Sequence, residues 1–237
     1  MFRRRPFRGA PRRNLSPLIV PICDDFPFLP PRSLSPLKSS RWIGDPLPPS
    51  CTPDELTRIL VAPSGGHYEM PNTSYDEVYP NIILGDEQTA MSIPTLRRIG
   101  VTHVLNAAQG KNRNLYFVNT SSSYYYDSGI KFLGIEAMDS ASFPLYLYFQ
   151  RAADFIEEAL GSGGKVYVHC RAGISRSAAL VIAFLMIKRN MPAQEAVRRV
   201  RAHRKIIPND GFLRQICDLN EKLSMERNNF RSSRGIP

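Results

Sequence analysis

The chain has 237 residues, 43% hydrophobic and 22% charged, which is the composition of a globular protein with room for one sizeable core. No apolar run approaches the roughly 20 residues of a membrane helix, and four histidines without ligand spacing argue against a metal cofactor. Net charge is +10 but uneven: residues 1–50 hold nine Arg/Lys against three Asp (+6), and the rest hold 22 basic against 18 acidic (+4). A mildly basic core suits an anionic substrate, and no basic-aromatic groove or finger points to nucleic acid.

Residues 1–50 contain eleven of the twenty prolines and no helical or strand period, so residues 1–51 are expected to form a disordered Pro/Arg-rich tail. Leu-Ser-Pro-Leu occurs twice, at 15–18 and 34–37, and offers Ser16 and Ser35 to proline-directed kinases. Arg12-Arg13 followed by Leu15, Leu18 and Val20 resembles the peptides that dock on mitogen-activated kinases, a short pattern that also arises by chance. The Arg-rich start faintly resembles a mitochondrial presequence, but prolines at 6, 11, 17 and 21 would break its helix.

Order is expected from Thr52. Thr52-Pro53-Asp54-Glu55 is a capping box, and the helix it opens runs to Val61 or Ala62. A strand over 78–84, a helix over 91–99, and strands over 101–107 and 130–135 follow. The polar loop between those strands, with Tyr124-Tyr125-Tyr126, has no readable period. His103 lies inside an apolar strand and reads as a core histidine. Leu145 to Leu160 places Leu145, Phe149, Ala152, Ala153, Ile156 and Leu160 on one helical face. Gly161-Ser162-Gly163-Gly164 ends that helix and leads into the strand 166–168. Helices over 178–188, 193–204 and 211–223 complete the order, and residues 225–237 read as a frayed tail. Alternating strands and helices predict an α/β fold, a central mostly parallel sheet flanked by helices. The four cysteines, at 23, 51, 170 and 217, suggest neither a disulfide framework nor a zinc site, which favours a reducing compartment, cytoplasm or nucleus.

The chemistry concentrates in His169-Cys170-x-x-Gly173-x-x-Arg176-Ser177, between a strand and a helix. Five fixed residues at about 0.05 frequency each make a chance match on the order of 10⁻⁴ in a chain this long. A loop entering a helix presents backbone N–H groups to an anion. The helix dipole favours a thiolate at Cys170, whereas a free thiol near about pKa 8.5 is only a few per cent ionised at pH 7. Arg176 can grip two phosphate oxygens with its planar fork. The pattern reads as a thiolate attacking a bound phosphoryl group. Such a reaction needs a general acid, for which Asp127, Asp139 and Asp154 compete; loop placement favours Asp139.

This loop is similar to that of the cysteine-dependent protein tyrosine phosphatases, and its Arg-Ala-Gly-Ile-Ser-Arg-Ser-Ala version resembles the dual-specificity branch. The stretches 100–108, 127–135, 151–156 and 208–213 resemble small atypical members of that branch, and the likeness covers roughly residues 52–223. It implies a catalytic domain over 52–224 with the protein tyrosine phosphatase-like fold, no cofactor, and phosphorylated proteins as substrates, mitogen-activated kinases docking on the tail among them. By resemblance Cys170 is the nucleophile and Asp139 the acid, while Ser177 assists the sulfur as leaving group. Backbone N–H groups of Arg171, Ala172, Gly173, Ile174, Ser175 and Arg176, with the Arg176 side chain, bind phosphate. His169 orients the loop, Asn209 braces it, and Arg204 contacts a second phosphorylated residue. Ala172 and Ile174 stand where phosphoinositide phosphatases place basic residues, which disfavours that substrate. Intact Cys170, Arg176 and Asp139 disfavour a phosphoprotein-binding pseudophosphatase.

Overall fold

The computed structural model of the chain describes residues 51–233, with side chains as far as Asn229. The Leu-Ser-Pro-Leu repeats and the kinase-docking pattern lie outside the described residues. Helix α1 (Pro53–Val61) starts as its capping box dictates: Thr52 Oγ1 accepts the Glu55 N–H at 3.2 Å, and Leu56 and Leu60 face the core.

The strand expected over 78–84 is instead a hairpin, β1 (Tyr75–Tyr79) antiparallel to β2 (Ile82–Gly85). Pro80 cannot donate to a ladder and Asn81 turns left-handed at φ 63°, so the chain folds back there. The helix expected over 91–99 divides likewise into α2 (Glu87–Ala90), capped by Asp86, and α3 (Ile93–Arg98), with Pro94 in its first turn.

Strands β3 (His103–Asn106) and β4 (Lys131–Gly134) follow, with the short α4 (Ser122–Tyr125) between them. Residues 145–148 form a 3₁₀ turn, so α5 (Phe149–Gly161) begins four residues later than its apolar period suggests. Strand β5 (Val166–His169), then α6 (Arg176–Arg189), α7 (Ala193–His203) and α8 (Asp210–Ser233) complete the domain. The polar segment after Met225, expected to fray, continues α8 to Ser233. Among the described residues no helix is long and apolar enough to cross a membrane.

The sheet order is β1-β2-β5-β3-β4, parallel except at β1. Strand alternation divides the core. Ile83, Val104 and Tyr167 join Leu96, Tyr125 and Ile130 on one face; Ile82, Leu84, Leu105, Val166 and Val168 join the apolar residues of α1 and α5–α8 on the other. Helix α6 is buried at every position from Arg176 to Met186, so it is enclosed on all sides rather than striped. A helix enclosed in this way holds fixed the loop that opens it. Gly85, Asn106 and His169 pair across β2, β3 and β5, and their aligned C-terminal ends form the edge at which a ligand site of a parallel sheet is expected.

Candidate active site

The chain leaves β5 at His169 and re-enters helix at Arg176. In between, the carbonyls of five consecutive residues are engaged from outside. His169 Nδ1 donates to Cys170 O (3.0 Å), Glu87 N–H to Arg171 O (2.9 Å), Arg204 Nη2 to Ala172 O (3.1 Å), Arg204 Nε to Gly173 O (2.9 Å), and Ile207 N–H to Ile174 O (2.8 Å). With the carbonyls turned outward, the peptide planes face their N–H groups inward, and none of those from Arg171 to Arg176 donates to a backbone carbonyl. The result is an anion cradle. Gly173 is required in it twice over: its φ is +67°, and a side chain there would run into the Gly85 carbonyl.

Cys170 lies at the floor, 2% exposed. Burial of the thiol pushes its pKa up, but the Arg176 charge, the Ser177 hydroxyl at 3.2 Å, and the N–H groups of Ser177 and Ile174 outweigh burial and hold it below the ordinary thiol value. The Cys170 sulfur is therefore poised toward thiolate. His169 is fully buried, and desolvation pushes its pKa down to about 4; with Nδ1 committed to the Cys170 carbonyl it is a neutral loop support.

Arg176 is also 2% exposed. Its Nη1 donates to Ala137 O (3.1 Å) and its Nη2 to Tyr116 O (3.2 Å), while Nε faces Asp139 Oδ2 at 3.4 Å. Asp139 stands in the loop after β4, as anticipated. Its Oδ1 accepts from Ser175 Oγ (2.8 Å) and from Asn209 Nδ2 (2.9 Å). Of the three aspartates that competed for the acid role, Asp139 is the one that touches the loop. Asp154 on α5 pairs with Lys188 at the end of α6, and only the backbone carbonyl of Asp127 is engaged, by Arg97.

Two expectations need correction. Asn209 does not brace the phosphate loop: its amide N–H₂ holds Asp139, and its Oδ1 accepts the Phe212 N–H (3.0 Å), capping α8. Arg204 is not placed as a surface contact for a second phosphate. It is 2% exposed and pairs with Asp76 at 2.7 Å, and its fork carries the Ala172 and Gly173 carbonyls. A guanidinium so committed shapes the cradle from beneath.

Three contributors were missed by sequence reasoning. Tyr116 sits left-handed at φ 60° and gives its carbonyl to Arg176, and its ring lies 5.0 Å beneath the Arg171 guanidinium. Glu87 closes the loop through its N–H, and its carboxylate lies 3.9 Å from Arg171. Asp76 anchors Arg204. Each acts across 55 or more positions of chain, and no local pattern announces it. Leu115, Tyr116 and Met138 are exposed, and an open cavity of about 470 Å³ adjoins the loop, lined by Thr73, Asp86, Glu87, Arg171, Ala172 and Arg204 among others. Among the described residues no three His, Cys, Asp or Glu side chains group as metal ligands.

Comparison with known proteins agrees with this geometry. The family profile "Dual specificity phosphatase, catalytic domain" matches residues 82–222. Human dual specificity protein phosphatase 26 is 47% identical over 149 residues, covering 62% of this chain and 68% of that protein; the mouse protein of the same name is 46% identical over the same span. Among solved structures, human DUSP28 superposes with a TM-score of 0.56 at 26% identity, covering 66% of this chain and 99% of that one. Human tyrosine phosphatase-like serine/threonine/tyrosine-interacting protein superposes with a TM-score of 0.53 at 32% identity, covering 61% and 93%. The cradle, its cysteine and its arginine thus sit in a domain whose family is settled by sequence over more than half the chain, and the protein belongs to the dual-specificity protein phosphatases.

Proposed function

We propose that the enzyme hydrolyses phosphotyrosine and phosphoserine/threonine esters of proteins through a phosphocysteine intermediate. The observation that carries this is the cradle itself: five carbonyls held outward around a thiol whose pKa is lowered by Arg176 and Ser177. A phosphoryl dianion entering the loop meets the inward N–H groups and competes with Asp139 for the Arg176 edge. Cys170 Sγ attacks phosphorus in line, and Asp139 gives its proton to the departing oxygen. The same carboxylate then takes a proton from water, and Ser177 stabilises the sulfur as it leaves. Preorganised donors of this kind each contribute on the order of 3 kcal/mol to the transition state. The exposed rim and the adjoining cavity leave room for residues flanking a phosphorylated side chain, which favours a protein over a small phosphate ester.

Mitogen-activated kinases are the proposed substrate class, on the strength of Arg12-Arg13 and the aliphatic residues at 15, 18 and 20. Two measurements test the proposal. The full chain turns over p-nitrophenyl phosphate without added metal, and Cys170→Ser abolishes turnover while retaining phosphate binding; activity that survives the substitution overturns the mechanism. Deletion of residues 1–50 leaves that turnover unchanged and weakens dephosphorylation of a phosphorylated kinase. Equal loss or no loss on both substrates removes the docking role.

A further inference from the structure

Two cysteines that 166 positions of sequence separate meet in the core. Cys51 Sγ and Cys217 Sγ lie 2.8 Å apart, and both residues are buried. A disulfide needs about 2.05 Å between sulfurs, so the bond forms with a movement of about 1 Å. Cys217 is on α8, which is held by its packing against α1 and α6. Cys51 immediately precedes Thr52, the N-cap of α1, and lies outside the hydrogen bonds within that helix. One sulfur is therefore fixed, and the other sits where a helix end frays and admits a small reagent.

We propose that Cys51 and Cys217 form a reversible disulfide, a redox modification site separate from the catalytic thiol, driven by a low-molecular-weight disulfide such as oxidised glutathione. In the first step Cys51 sulfur attacks one sulfur of the oxidant, forming a mixed disulfide and releasing one glutathione thiol with the Cys51 proton. In the second, Cys217 sulfur attacks Cys51 sulfur, expelling the other glutathione, which takes the Cys217 proton. Two protein thiols are oxidised and one small disulfide is reduced to two thiols. The hydrogen bond with Cys51, then burial, holds the Cys217 thiol above its ordinary pKa, so it is a poor target for reagents until its partner is activated. The bond ties the start of the catalytic domain to α8, the helix whose N-cap side chain holds Asp139.

The test uses the full chain carrying Cys170→Ser, so that the active-site thiol does not compete, with Cys23 left in place as an internal rival. After incubation with oxidised glutathione, alkylation and proteolysis, mass spectrometry is expected to find a Cys51–Cys217 cross-linked peptide that dithiothreitol removes. Because the bond closes most of the domain into one loop, the melting temperature should rise by at least about 5 °C. Adding Cys51→Ala removes the cross-link and the gain, and Cys217→Ala does the same if it folds. Recovery of Cys51 or Cys217 joined to Cys23, capped by glutathione or separately alkylated overturns the proposal, as does a cross-link without a thermal gain.

Discussion

Asp139 is held by three groups at once: Ser175, Asn209 and the Arg176 guanidinium. This clamp keeps Asp139 beside the cradle, where the proposed mechanism has its carboxyl group supply the proton. Asp139→Asn, which keeps the shape and the Ser175 contact, should therefore lower kcat by about 10²-fold and flatten the limb of the pH–rate profile that reports the acid. Steady-state kinetics from pH 5 to 8 check this. At Cys170 the Ser177 hydroxyl is one of the forces that overcome burial. Ser177→Ala should move the pH midpoint of iodoacetate alkylation at Cys170 upward, toward the ordinary thiol value. A midpoint that stays in place would leave Arg176 and the backbone N–H groups as the whole of the effect.

The elements around the loop explain why Arg204 belongs to the cradle and not to the substrate. It lies just past α7, and its fork spans the Ala172 and Gly173 carbonyls while Asp76 on β1 neutralises it. Removing one member of such a buried pair typically costs about 3–5 kcal/mol. Arg204→Met should therefore lower the melting temperature and reduce kcat/KM by more than about tenfold on p-nitrophenyl phosphate and on phosphopeptides alike. Activity lost only on doubly phosphorylated peptides would restore the substrate role that resemblance suggested. What was legible in the sequence divides along the same line. The phosphate loop, its strand and its helix are adjacent in the chain and carry their own signature. Asp139 follows β4 in a loop whose placement was readable. Helix α1 was marked by its capping box. The hairpin at Pro80-Asn81 was hidden because an apolar run outweighed two turn residues. The Arg204 fork, the Tyr116 carbonyl and the Cys51–Cys217 encounter depend on pairings that only the folded chain supplies.

At the scale of the molecule, pH acts on stability through His169. Its folded pKa of about 4 lies below the ordinary 6.5, so the unfolded chain binds this proton more readily. The sign follows: stability is intact above about pH 6.5 and is lost as pH falls toward 4, by on the order of 3 kcal/mol from this residue. Urea denaturation at pH 7 and pH 4.5 should show the loss, and His169→Asn should remove this part of the slope. His103 is buried on β3 against Phe155, and its desolvation acts in the same direction. The domain should therefore be acid-sensitive independently of its carboxylates.

The outward-held carbonyls of Cys170 to Ile174 have one more consequence, for the end of the catalytic cycle. The backbone of the cradle is assembled by the fold before any ligand arrives, so a tetrahedral oxyanion entering it has only to displace Asp139 from the Arg176 edge. The cradle is equally complementary to the inorganic phosphate that the reaction leaves behind. Product and substrate compete for the same inward N–H groups, and the enzyme tells them apart by what lies outside the cradle: the protein that substrate brings and phosphate lacks. On the proposed mechanism, selectivity falls to the rim around Tyr116, Met138 and the neighbouring cavity, and product inhibition by phosphate is the expected counterpart of a cradle that sets the chemistry.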